Sequence, residues 1–377
     1  MIFSLIFLTV CTLMQLYISW RIHTTLHLWQ NNHQHWLWWS SGALWGLFAL
    51  CWLLHSQVFI LHHWSEWFWS QWLGMLFLLF MPLLLVDLAT LFGLVLRRVQ
   101  RLMLTAALLV SLVLCVIATI QGTRAPVITR YDVTVTTLPE HLDGLTLVAA
   151  SDLHLGPILD THWLEQRLQQ VRGLSPDIVV LVGDIFETNG DEAGEFIDRF
   201  KTLQVPLGVW GVSGNHEYYG RNKLPLFEKA GIQRLQNNWQ QIVPGLIIAG
   251  VDDLTVAHRR GQLDNFVESA LNGRPHGATI LLSHTPWQIN QAVANNADII
   301  ISGHTHNGQI WPFNYLVERQ YPYIQGHYPL GSSHLFVGRG TGTWGPRMRL
   351  WQPAEILHIV LHAAKNETVA DTESTPR

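Results

Sequence analysis

Cysteine is scarce in this chain: 377 residues include three, Cys11, Cys51 and Cys115, all within the first third. The remainder therefore has no thiolate ligand for a metal and no disulfide framework, and the redox compartment stays open. Charge is scarce as well. Asp, Glu, Lys and Arg make up 13% of the chain, and in residues 1–121 they reduce to Arg21, Arg97, Arg98, Arg101, Glu66 and Asp87. A soluble domain of that length needs far more polar surface than this. The other 256 of the 377 residues hold 19 of the 23 basic and 25 of the 27 acidic residues, a balance of −6. An acidic balance of this kind argues against nucleic acid as a partner.

The chain is long enough for two domains, and its composition divides it into two parts. Residues 1–121 carry 11 of the 18 Trp. They contain four apolar stretches, near Met1–Trp20, Ala43–Leu61, Leu73–Leu96 and Leu102–Ile120. Each approaches or reaches the roughly 20 residues needed to cross a bilayer as a helix. His55, Ser56 and Gln57 interrupt the second, which fits a half-buried or interfacial helix as an alternative to a span. The first lacks both a basic start and a small-residue cleavage pattern, so it is expected to stay as a helix. "HHWSEWFWSQW", His62–Trp72, has the composition of an interfacial aromatic belt. Asp87 is costly in a bilayer and is expected to face another helix or water, as a structural contact or a functional group. The histidines from His23 to His63 recur at no fixed spacing and are read as interfacial.

From residue 122 the pattern changes. "GLTLVAASD", "DIVVLVGD", "VWGVSGNH", "LIIAGVDD", "ATILLSH" and "ADIIISGH" are short apolar runs, most of them separated by amphipathic segments such as "THWLEQRLQQVRGL". Alternating strand and helix predicts a layered α/β domain over 122–363. The polar tail 364–377 is expected to be disordered.

Five of these runs end in residues able to bind metal. Asp152 and His154 follow the first, Asp184 the second, Asn215 and His216 the third, His284 the fifth, and His304 with His306 the sixth. In a chain with 20 His, one HxH pair says little; what counts is the agreement of five strand ends, because such ends meet at one edge of a sheet. Gly303, between the last strand and His304, is expected to let the backbone turn sharply. The mixture of oxygen and imidazole donors suits Mn, Fe or Zn and is too rich in nitrogen for Mg or Ca. His216 is expected to act beside the metals on a phosphate oxygen or as proton donor to a leaving alkoxide; the alternative is that it only orients Asp152 or Glu217. Arg339 in "FVGRGTGTWG" is set aside because a turn explains its glycines as well as a phosphate contact does. His358 and His362 are expected to be packing or surface residues.

"SDLHLG", "VGDIFE", "SGNHEY", "LSHTP" and "SGHTHNGQ" together resemble the five motif blocks of the calcineurin-like metallophosphoesterases, most closely the membrane-associated bacterial subgroup with a GHTHxGQ block. The resemblance covers roughly Leu145–Leu361. It implies an α-β-β-α sandwich and two divalent metal ions, one held by Asp152, His154 and His306, the other by Asn215, His284 and His304, with Asp184 bridging. A carboxylate has two oxygens and can join cations about 3.5 to 4 Å apart, the spacing of two-metal hydrolytic sites.

Two function classes follow. The first is a membrane-anchored hydrolase of phosphomonoester, phosphodiester or pyrophosphate bonds; its substrate is lipid-linked if the tether serves access, and unspecified if the tether serves location alone. The second is a non-catalytic scaffold module of the same fold, disfavoured because no ligand position is lost. The short "RRVQR" segment between the third and fourth stretches is expected to stay cytoplasmic. That threading puts the catalytic domain on the outer, periplasmic or extracellular, face of the inner (plasma) membrane, with Arg124 and Arg130 as counter-evidence.

Overall fold

The computed structural model describes residues 2–27, 34–54, 62–188, 193–219, 223–262 and 265–364; the expected tail lies outside them beyond residue 364. The N-terminal part forms four helices, α1 (Ile2–His27), α2 (Gln34–Leu54), α3 (His62–Ala89) and α4 (Arg97–Thr123). Three are long and apolar enough to cross a membrane, over Leu5–Thr25, His63–Ala89 and Arg97–Thr123. The second stretch, placed at Ala43–Leu61, corresponds to α2, whose helix starts nine residues earlier at Gln34. Residues 55–61 lie outside the described residues. α2 still packs into the bundle: Phe48 is fully buried, and the Trp45 indole donates to the Thr12 hydroxyl at 3.1 Å.

Two further boundaries differ. The aromatic stretch His62–Trp72 forms the first three turns of α3 and is continuous with the third span. "RRVQR", expected as a loop, opens α4, because its straight side chains favour helix as much as loop. Asp87 is buried against other helices. Arg21 Nε lies 2.5 Å from its Oδ2, the Tyr17 hydroxyl donates to the same oxygen, and Gln100 approaches Oδ1 at 3.4 Å. Removing one partner of such a buried pair would strand the other charge.

After α4 come twelve strands among the described residues: β1 (Val127–Val135), β2 (Leu145–Ala150), β3 (Ile178–Val182), β4 (Val209–Val212), β5 (Gln233–Arg234), β6 (Asn238–Val243), β7 (Leu246–Gly250), β8 (Ala278–Leu282), β9 (Ile299–Ser302), β10 (Gly326–Leu330), β11 (Ser333–Val337) and β12 (Glu355–Ala363). They form two six-stranded sheets, β1-β12-β2-β3-β4-β5 and β10-β11-β9-β8-β7-β6. The six apolar runs are thereby divided: β2, β3 and β4 lie parallel in one sheet, β7, β8 and β9 parallel in the other. Such strands are buried on both faces, which is why β3 reads "IVVLV" without alternation.

Leu147, Val180, Val182, Ile248, Ile280, Ile301, Phe336 and Ile359 fill the space between the sheets. On the outer face of the first sheet lie α5 (Thr161–Arg172), α6 (Gly194–Lys201) and α7 (Leu226–Lys229), sealed by Leu164, Leu168, Phe196 and Phe227. On that of the second lie α8 (Leu254–Arg259), α9 (Phe266–Leu271) and α10 (Ile289–Ala294), sealed by Leu254, Val267, Leu271 and Ile289. The result is an α-β-β-α sandwich. Asp160 caps α5 by accepting from Trp163 N at 2.8 Å, and Asp253 caps α8 by accepting from Val256 N at 2.8 Å.

The sandwich rests directly on the N-terminal helices. Ile310, Met348 and Leu350 pack with Leu78, Cys115 and Ala118. Arg349 N donates to Ala118 O at 2.9 Å, and Trp351 N to Gln121 Oε1 at 2.8 Å.

Candidate metal centre

The carboxyl ends of β2, β3 and β4 meet those of β8 and β9 where the two sheets abut, and all eight residues singled out in the sequence lie there. Five of the seven ligand candidates, Asp152, His154, Asp184, His304 and His306, have left-handed backbone at φ between 47° and 71°. Such a conformation costs a non-glycine residue on the order of 1 kcal/mol or more and persists when its surroundings impose it. Gly303 differs from expectation. Its backbone is not left-handed; a Cβ there would run into Asp152 Oδ2 and Ser151 Oγ. Close approach, rather than a turn, requires glycine.

Three groups of side chains bring one donor atom each within 4.8 Å of one another: Asp152, His154 and His306; His154, Asp184 and His216; and Asp184, His284 and His304. In the first, His154 Nε2 and His306 Nε2 stand 3.2 Å apart and Asp152 Oδ1 is 3.4 Å from the latter. In the third, His284 Nε2 and His304 Nδ1 are also 3.2 Å apart, with Asp184 Oδ2 3.1 Å from His284 Nε2. Two nitrogens about 2.1 Å from a common ion at near-tetrahedral or octahedral angles sit at about this separation.

The ring orientations are set from behind. His154 Nδ1 donates to Glu187 Oε1 at 2.6 Å and His284 Nδ1 to Val182 O at 2.8 Å, so in each neutral ring Nε2 carries the lone pair. His304 Nε2 meets the Tyr321 hydroxyl at 2.8 Å, which turns Nδ1 toward His284. Asn215 Oδ1, just past the end of β4, is buried and has no hydrogen-bond partner. A buried carbonyl oxygen left without a donor is costly unless a cation takes the donor's place. Asp184 Oδ2 reaches both sets, at 3.1 Å from His284 Nε2 and 4.0 Å from His154 Nε2.

Burial pushes the Asp184 carboxyl up, but His284, His216 and His154 outweigh it and hold the group well below the usual carboxylate range. Burial would lower the His216 imidazole, yet Glu187 and Asp184 raise it to about 9. Among the described residues the His216 ring pairs with Glu187 and faces Asp184. Its Nδ1 lies 2.6 Å from Glu187 Oε1, its Nε2 faces Asp184 Oδ2 at 4.0 Å, and its N–H donates to Asp184 Oδ1 at 2.8 Å.

A family model of the calcineurin-like phosphoesterases matches residues 145–308. A transmembrane protein with metallophosphoesterase domain from Danio rerio is 34% identical over 273 residues, covering 68% of this chain and 62% of that protein. A metallophosphoesterase of Campylobacter jejuni is 32% identical over 271 residues, covering 71% of this chain and 72% of the relative. The chain belongs to the calcineurin-like phosphoesterases. It spans 62% of the length of the zebrafish relative. A third relative, a metallophosphoesterase of Aquifex aeolicus, is 31% identical over 63% of this chain and 92% of its own.

Around the centre of this calcineurin-like phosphoesterase lie Glu187 and Gln309, which sequence reading passed over, and Glu217, which it named only as a possible partner of His216. Glu187, the last letter of "VGDIFE", bonds the rings of both His154 and His216. Glu217, which follows "GNH", is buried and accepts four main-chain N–H groups: Asp184 at 2.9 Å, Ile185 at 2.8 Å, Phe186 at 3.0 Å and Gly214 at 2.8 Å. It thereby ties the loop after β3 to the loop after β4. Gln309, closing "GHTHNGQ", donates to Trp344 O and Pro346 O at 3.0 and 3.1 Å and accepts from Trp344 N at 2.9 Å. These contacts hold the Trp344 ring with its centroid 6.3 Å from that of His216. Acidic and amide residues inside the motif blocks were the available signal. Arg339, set aside from the sequence, is bound to Glu355 at 2.6 Å. His358 is buried on β12, and His362 lies on the same strand between Asp132 and Asp143.

Proposed function

We propose that the protein is a membrane-anchored, dinuclear-metal-dependent phosphoesterase acting on the phosphate ester or pyrophosphate of a lipid-linked substrate at the outer face of the membrane. The observation that carries the hydrolytic reading is Asp184, one carboxylate within reach of two separate donor sets. Asp152, His154 and His306 would hold one divalent ion and Asn215, His284 and His304 the other, with Asp184 shared. Mn, Fe and Zn all suit these donors. When bound, such a pair lowers the pKa of water toward neutrality and neutralises charge on the phosphate during in-line displacement.

The chain's own residues supply the rest. His216, whose imidazole Glu187 holds through Nδ1 at 2.6 Å, presents Nε2 to the site and delivers its proton to the departing alkoxide. Glu187 keeps that ring in place through Nδ1 and stabilises its cationic form. Asn215 contributes an uncharged oxygen, which limits repulsion of an incoming phosphate.

The surroundings of the site support a substrate with an apolar chain. Trp344, 54% exposed, stands beside His216, and Phe313, Tyr315, Leu316 and Trp351 are also exposed. Phe313 meets Phe77 of α3 edge-on at 6.0 Å, so part of this exposed aromatic set borders a helix able to cross a membrane. Apolar surface so placed suits the chains of an amphiphile whose phosphate reaches the metals. The outer-face placement rests on Arg97, Arg98 and Arg101 opening α4, while the catalytic domain follows its far end about 40 Å away.

The test uses the full chain in detergent with Mn, Fe or Zn. Hydrolysis is measured on phosphomonoesters, phosphodiesters and pyrophosphates, each as a soluble and a diacyl form in mixed micelles. About two metals per chain and metal-dependent hydrolysis faster on the diacyl forms are expected. Turnover confined to soluble forms removes the lipid substrate. Failure to bind metal or to hydrolyse any of them leaves a scaffold module.

A further inference from the structure

The loop Arg339–Leu350 touches the candidate metal centre on one side and the membrane helices on the other. Toward the centre, Thr341 N donates to Ser151 O at 2.8 Å and Gly342 N to Asp152 O at 2.9 Å. Gly340 lies against the His306 ring, where a Cβ would stand 2.8 Å from Nδ1. Toward the helices, the fit is as close. A Cβ on Gly122 of α4 would stand 2.5 Å from Arg347 O and 2.6 Å from Met348 Cα, and one on Gly74 of α3 would stand 2.6 Å from Met348 Sδ.

Arg349 joins the two sides. Its N–H donates to Ala118 O of α4 at 2.9 Å. Its side chain is fully buried; Nη2 donates to Gly342 O at 2.6 Å, Arg339 O at 2.9 Å and Gly340 O at 3.2 Å and stands 3.4 Å from His306 Nδ1, while Nη1 donates to Gln352 O at 2.9 Å. These acceptors are main-chain carbonyls, so the guanidinium is buried without a bonded carboxylate. That is a costly arrangement, and the planar fork of an arginine is what can gather several carbonyls at once.

We propose that α3 and α4 are part of the support of the metal centre. Arg349 is a positioning residue that transmits the seating of the domain on these helices to Asp152 and His306. The half of the centre made by Asp152, His154 and His306 therefore holds its cation firmly when the domain is seated, and hydrolysis is confined to chains whose helices are assembled. The inference rests on the two-cation reading above.

The test measures metal content and affinity in the full chain purified in detergent and equilibrated with Zn or Mn, alongside turnover. Gly122→Ala places a methyl group against the Arg347 carbonyl yet favours helix, so α4 itself is not weakened. Arg349→Lys keeps the charge and removes the fork. Gly46→Ala on α2, with nothing within 4 Å, is the control. Wild type and control should hold about two cations. Gly122→Ala and Arg349→Lys should keep one cation at wild-type affinity and bind the other about 10- to 100-fold more weakly, the range for lost support behind a ligand, with a matching fall in kcat. Two cations at wild-type affinity in both variants, or loss of both cations together, overturns the proposal. If Arg349→Lys fails to accumulate, Gly122→Ala and Gly74→Ala decide by the same criteria. A wild-type chain that binds no cation refutes the two-cation reading instead.

Discussion

Glu187→Gln separates charge from geometry at a residue that touches both a candidate ligand and the candidate acid. Glu187 Oε1 lies 2.6 Å from Nδ1 of His154 and 2.6 Å from Nδ1 of His216. Glutamine leaves an oxygen in the same place and removes the negative charge. Hydrogen bonds to a charged acceptor are about twice as strong as neutral ones, so each loses about 1 kcal/mol, or about 5-fold. At His154 the loss appears as roughly 5-fold weaker binding of the cation on that side, read by competition with a chelating dye. At His216 the loss of a negative neighbour disfavours the protonated ring, so its pKa falls, and a loss of about 1 kcal/mol corresponds to a fall of roughly 0.7. The alkaline limb of kcat/KM on an alkyl phosphate should move to lower pH by that amount. Glu187→Ala, which removes both bonds, should exceed these effects and approach the 10- to 100-fold range in affinity. If Glu187→Gln binds metal as wild type and keeps the alkaline limb in place, the shared-carboxylate account of the site is wrong.

His216→Asn should lower turnover by about 10²- to 10⁴-fold on alkyl esters and much less on nitrophenyl esters; equal slowing of both would show that His216 gives no proton to the leaving group. Asp184→Ala should lower metal content from about two per chain while the sandwich persists, and an active variant holding two tight metals would rule out bridging. In the metal-free protein the His216 pKa is raised to about 9, so its stabilising contribution is full below the unfolded value of about 6.5 and is lost as pH rises through 9. The stability gap between metal-free wild type and His216→Gln, measured by urea unfolding, should therefore shrink across that window; a gap independent of pH contradicts the charge pairing. Alkaline phosphatase fused after Arg130 should be active and green fluorescent protein at the same point dark in a Gram-negative host exporting through the Sec route, and the opposite pair of results puts the domain in the cytoplasm.

Much of this protein is written in local patterns. A β-branched run that ends in Asp, Asn or His declares both a doubly covered strand and a site at its end, so Asp152, His154, Asp184, Asn215, His216, His284, His304 and His306 were legible together. Helix α4 could be read because an uninterrupted apolar run needs no partner to be recognised, whereas the start of α2 at Gln34 lies among polar and aromatic residues that the apolar run beginning at Ala43 does not include.

Tertiary structure decided what depends on pairing at a distance. Nothing local separates β2, β3 and β4 from β7, β8 and β9, since parallel strands in either sheet are buried on both faces and look alike. Glu187 is one more acidic residue until the fold puts two imidazoles 2.6 Å from the same oxygen. Nothing local singles out Arg349 until α4 packs on its loop, with Trp351 bonded to Gln121, 230 positions earlier. Ligand type is a property of a side chain and is carried in the sequence. The neighbours that orient it, and the helix that seats its loop, are chosen by burial across the whole chain, where no periodicity records them.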